Sequence, residues 1–140
     1  MWDSIDPAIL AQLPRQSANG AVANGLPPPG RTDWAGAIRA LERFRREYAE
    51  DDWDGQGAVA VSGELIDSAA ALAAALERQG VTAPTWTLPG PDGSVSYSWD
   101  LGAGATAEIE VTGPTSAEVV VLASDRPAGH WVLGPGATAR

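Results

Sequence analysis

Ser94-Val95-Ser96-Tyr97-Ser98-Trp99, followed across Gly102-Ala103-Gly104 by Ala105-Thr106-Ala107-Glu108-Ile109-Glu110-Val111-Thr112, decides the fold. In both runs apolar and polar residues alternate with a period of two, which is the spacing of a strand with one buried face. Val95, Tyr97 and Trp99 share one side, and Ala107, Ile109 and Val111 share the same side of the next strand. The glycine-rich break between them is too short for a crossover, so the pair is an antiparallel hairpin.

The pattern extends in both directions from this hairpin. Upstream, Thr82 to Leu88 reads as a first strand, interrupted by Pro84 and so near an edge, with a turn at Pro91-Asp92-Gly93. Downstream, Gly113-Pro114 turns the chain into an apolar strand from Glu118 to Leu122, and His130 to Leu133 reads as a fifth strand. Consecutive strands joined by tight turns form a meander.

Before Val81 the period changes to that of a helix. Trp34, Ile38, Leu41, Phe44 or Arg45, and Tyr48 form one stripe, with Thr32 or Asp33 as cap and an end near Ala49. Arg39, Arg43, Arg45 and Arg46 lie in the half where a helix dipole favours cations. A second helix starts at Ser62, buries Leu65, Ala69, Leu72, Ala73 and Leu76, and stops at Gly80. The expected fold class is α+β: two layers, with two helices packed on one face of a four- or five-stranded antiparallel meander.

Residues 1–30 read as an arm. Asp6 and Pro7 open a short amphipathic helix carrying Trp2, Ile5, Ile9 and Leu13 on one face, Pro14 ends it, and a Pro/Gly-rich linker follows. The apolar stripe either folds back on the domain, the favoured reading, or docks on a partner, including a second copy of the chain. Residues 31–133 form one domain and 134–140 a flexible tail.

The chain of 140 residues has a formal net charge of −9 and no cysteine. The charge opposes direct binding of nucleic acid and attracts basic partners. The missing cysteines exclude disulfides, thiolate metal sites and a cysteine nucleophile. Met1-Trp2-Asp3-Ser4-Ile5-Asp6 has acid where a secretory signal needs base, and no apolar run matches a membrane span, so a cytoplasmic location is expected.

Asp51-Asp52-Trp53-Asp54-Gly55-Gln56-Gly57-Ala58, taken with Asp92-Gly93-Ser94 and Trp99, resembles a widespread family of small bacterial proteins, usually left uncharacterised. These share W-D-G-x-G-A followed by D-G-x-(x)-x-x-x-W. The resemblance spans roughly Leu41 to Val121 and implies no particular activity. Gln56 stands where the family often has an aromatic. The residues themselves suggest structural roles: Trp53 and Trp99 in the core between helix and sheet, Asp54 as an Asx turn, and Gly55, Gly57 and Gly93 for turn geometry.

Recognisable chemistry is missing from the pattern. Asp51, Asp52 and Asp54 lack the spacing of a calcium loop, with Glu64 too far away to close one. His130 is the sole histidine and no nucleophile elbow accompanies it. No phosphate loop is present, so no enzyme activity, metal or cofactor is expected. The preferred expectation is a protein-binding module that masks a basic partner, as an antitoxin or immunity protein does. Glu47, Glu50, Asp51, Asp52 and Asp54 are its candidate contacts, supplemented by Trp86 and Trp131. The alternatives are a ligand or enzyme pocket lined by Trp53, Trp99 and Asp54, and a subunit of a larger assembly joined through residues 1–30.

Overall fold

Alternation in the C-terminal half yields five strands: β1 Trp86–Pro89, β2 Val95–Gly102, β3 Ala105–Gly113, β4 Ser116–Ala123 and β5 Arg126–Leu133. In the computed structural model they pair antiparallel in the order β1-β2-β3-β4-β5, an open meander. The structure describes residues 5, 7–14, 34–102, 104–113, 115–123 and 126–133. Trp2, the expected caps Asp6, Thr32 and Asp33, the linker, Pro114 and the 134–140 tail lie outside them.

Three helices accompany the sheet: α1 Pro7–Leu10, α2 Trp34–Glu47 and α3 Gly63–Arg78. They cover the face that carries Val95, Tyr97, Trp99, Ala107, Ile109, Val111, Ala117 and Val119, all of them buried. The fold is therefore α+β in two layers. No helix among the described residues is long and apolar enough to cross a membrane.

α3 has clear local causes at both ends. Ser62 Oγ accepts from the Leu65 amide at 3.1 Å, relieving one of the unpaired first-turn donors. At the other end Gly80 takes φ 84°, and the amides of Gly80 and Val81 donate to the carbonyls of Glu77 and Leu76. This is the Schellman arrangement that a left-handed glycine permits. Arg45 on α2 ties the helices together through Asp67 at 2.7 Å.

The centre of the core is aromatic. Trp34 packs edge-on against Tyr97 and Trp99, with centroids 5.9 and 6.4 Å away. Each ring also has a polar atom, and each finds a carbonyl: Trp34 Nε1 donates to Val81, Trp99 Nε1 to Thr82 and Tyr97 Oη to Ala69. Large apolar area is thus buried without orphaned donors.

These bonds explain a difference from the sequence reading. Residues 82–85 precede the first strand instead of opening it. The carbonyls of Val81 and Thr82 serve the indoles, and the Thr82 amide donates to Pro14 O in the arm. β1 is left with four residues at the sheet edge, and Pro89 ends it. β5 starts at Arg126, earlier than His130, because pairing with β4 continues past the register shift at Val121/Leu122.

The arm closes one end of the core. Ile5, Ile9, Leu10 and Leu13 are buried in the same cluster as the aromatic rings. A four-residue helix has no stability of its own, so this burial holds it.

Candidate functional site

Residues 48–61 connect α2 to α3 as one compact loop whose ends meet where the Val61 amide donates to the Tyr48 carbonyl. The acidic side chains organise its interior. Asp51 Oδ1 accepts from the Ala60 amide at 2.9 Å, and Asp52 Oδ1 from the Gly57 amide at 2.6 Å. Asp54 Oδ1 accepts from the amides of Gln56 and Ala58 at 2.8 and 3.1 Å, the Asx turn expected of it. Asp52 itself has φ 64°, a conformation that aspartate tolerates better than most residues.

Trp53 differs from its expected place. It is half-buried at the rim, outside the core cluster between helices and sheet. Its ring lies 4.5 Å from that of Tyr48, and Nε1 donates to Val59 O at 2.9 Å. α2 ends at Glu47, and the indole packs on Tyr48, the last aromatic of the α2 stripe. Trp99, by contrast, is 1 % exposed.

The two sequence motifs meet in space. The Val59 amide donates to Pro91 O at 2.7 Å. Gly93, at φ 86°, sits so close that a Cβ there would stand 3.0 Å from Ala60 O and 3.2 Å from Val59 Cγ1. Beside it, the buried Ser94 hydroxyl lies 2.6 Å from Asp92 Oδ1 and 2.7 Å from Glu110 Oε2. A hydroxyl has one proton, so it donates to one carboxylate at a time. The Ser94 hydroxyl holds the Asp92 carboxyl below the usual range.

The acids Glu47, Glu50, Asp51, Asp52 and Asp54 are all exposed. No Arg or Lys occurs from residue 47 to 77. Among the described residues none of the five has an ion-pair partner; Arg45 turns to Glu42 and Asp67. No group of His, Asp and Glu suited to a metal ion occurs among the described residues.

The other candidates separate. Trp86 is 51 % exposed on the sheet face away from the helices. Trp131, paired opposite Val119, lies on the helix-facing side, half-buried over Gly129 and against the core. Trp53, Trp99 and Asp54 are not brought into one pocket: Trp99 packs on Trp34 and Tyr97, and Trp53 on Tyr48. His130 is exposed, with Nε2 at 3.0 Å from Glu118 Oε1.

The open sheet face joins Trp86 and His130 to residues for which the sequence pattern predicts no role. Its register places Trp86, Ser98, Glu108, Val120 and His130 in one row, and Leu88, Ser96, Glu110, Glu118 and Val132 in the next. Trp86, Leu88, Leu122 and Val132 are between 45 % and 56 % exposed. A groove of about 230 Å³ lies here, walled by Trp86, Glu108, Val120 and Leu122. The signal was present in Val119-Val120-Val121-Leu122, an unbroken apolar run where a one-sided strand would place polar residues at alternate positions.

Comparison of the chain with protein-family models, with curated proteins and with solved structures finds no match.

Proposed function

We propose that this chain is a non-catalytic protein-binding module that presents the acidic segment 47–54 to a basic partner, in the manner of an antitoxin or immunity protein. The observation that carries this reading is the exposed set of five carboxylates, Glu47 at the end of α2 and four on the internally bonded loop that follows, none of them in an ion pair among the described residues. Such a loop loses little conformational freedom on binding, and its charge raises the rate of encounter with a cationic surface. The docking of that loop on the Asp92-Gly93-Ser94 turn gives a physical reason for the two motifs to occur together. It supports grouping the chain with the small bacterial proteins that it resembles.

The test depends on how the loop is built. Alanine would remove both the charge and the acceptors for the Ala60, Gly57, Gln56 and Ala58 amides. Asparagine keeps an acceptor oxygen and removes only the charge. The triple variant D51N/D52N/D54N should therefore fold like the parent. A partner captured from the source cells should be basic, and its association with the variant should be slower by about tenfold or more at low salt. Equal association rates for parent and variant at low salt would defeat the proposal.

A further inference from the structure

We propose that the groove on the open sheet face accepts one arginine side chain of that basic partner, with Trp86 and Leu122 as walls and Glu108 as the counter-charge. This inference rests on the reading of the chain as a module for a basic protein.

Three observations converge on it. Four of the five exposed large apolar side chains among the described residues, Trp86, Leu88, Leu122 and Val132, lie on this one face. A solvated sheet face is ordinarily polar, so an apolar cluster there marks a contact surface. The face is also acidic. The described arginine side chains, those of Arg39, Arg43, Arg45, Arg46 and Arg78, all belong to α2 and α3.

The carboxylates of this face are not equivalent. Glu110 lies against Ser94, and Glu118 is paired with His130. Glu108 has only a long contact with Ser98, at 3.5 Å. Asp100, in the row of Thr106 and Leu122, accepts from the Gly102 amide at 2.9 Å, so Glu108 is the least engaged of the four, and it stands at the groove.

Charge complementarity therefore calls for a cation, and the walls specify which. An aliphatic stem fits between Leu122 and Val120, and a flat head can lie on the Trp86 indole while donating to Glu108. Guanidinium does both. A compact ammonium forgoes the stacking and the forked donation. The groove lies at the Trp86 end of β1, and the loop 48–61 docks beyond the Pro89 end, where the Val59 amide donates to Pro91 O. From Gly93 to Ser98 the chain advances roughly 17 Å at strand spacing, so a single partner can reach both.

The experiment uses the full chain, labelled with ¹⁵N, and two probes: a blocked hexapeptide alternating arginine and glycine, and the same peptide with neutral citrulline for arginine. The arginine peptide should shift the amides of Ser98, Thr106, Glu108 and Leu122 and the Trp86 indole, and the citrulline peptide should not. Glu108→Gln and Trp86→Ala should each weaken binding about fivefold or more, and Glu118→Gln should leave it unchanged, with the remaining spectrum of each variant reporting an intact fold. Shifts confined to the amides of residues 51–60 would overturn the groove and leave the acidic loop standing. Equal response to citrulline would overturn the role of charge at Glu108. No shift anywhere would overturn both proposals.

Discussion

Tyr97 shows how one side chain couples burial to pH. Its ring is wholly buried in the aromatic centre, and its hydroxyl donates to Ala69 O at 2.7 Å. Burial disfavours the phenolate and pushes the hydroxyl well above its ordinary range. The folded-state value is raised, so the stabilisation is complete below about pH 10, where the unfolded tyrosine is still neutral. Above that the unfolded chain releases its proton first, and stability falls as pH rises toward the folded value. Tyr97→Phe should lower stability by about 1 kcal/mol at neutral pH through loss of the hydrogen bond. It should also flatten the alkaline decline, as urea midpoints measured from pH 7 to 11 will show. An unchanged alkaline slope would mean that the Tyr97 hydroxyl is not the group responsible. Asp92 works in the opposite direction: its lowered value gives stability that is present above the ordinary carboxylate range and lost as pH falls through the folded value.

Among the elements, the loop 48–61 and the β1–β2 turn form a unit, and glycine contrasts measure their union. Gly93 and Gly102 have nearly the same φ, 86° and 84°. An added Cβ at Gly102 meets nothing within 4 Å, whereas at Gly93 it meets Ala60 O and Val59. Gly102→Ala should cost only the conformational penalty, about 1 kcal/mol. Gly93→Ala should cost that and more, about 2–3 kcal/mol, with faster amide exchange at Val59. Equal losses would mean that the loop yields freely. The same elements show what the sequence makes legible. Alternation in β2 and β3 and the stripe on α3 are local patterns, so the fold class, Ser62 and Gly80 can be read directly. The place of Trp53 is not legible, because a large apolar residue gives no indication of which neighbour covers it. The start of β1 is not legible because the partners of Val81 O and of the Thr82 amide and carbonyl are Trp34, Pro14 and Trp99, distant in sequence. The groove is not legible in the sequence, because its walls come from β1, β3 and β4, and only pairing register aligns them.

At the scale of the whole molecule, charge is imbalanced in amount and in place. The formal net charge is −9, and the loop acids lack described cationic partners. Like charges held close together oppose the compact state, and the effect reaches as far as the ionic atmosphere allows. That distance falls from about 30 Å at 0.01 M salt to about 10 Å at 0.1 M. Added sodium chloride should therefore stabilise this protein, raising Tm by a few degrees across that range. Opposing this is the weakening of exposed ion pairs such as Arg45–Asp67, which are individually worth little in water. Repulsion should win at neutral pH, and the rise should shrink near pH 4, where carboxylates begin to protonate. In D51N/D52N/D54N the low-salt Tm should already be higher and the salt response smaller. The parent's deficit at low salt is the self-repulsion that a basic partner would relieve on docking. A Tm that falls with salt would instead place the balance with the ion pairs and remove self-repulsion as a driving force for binding.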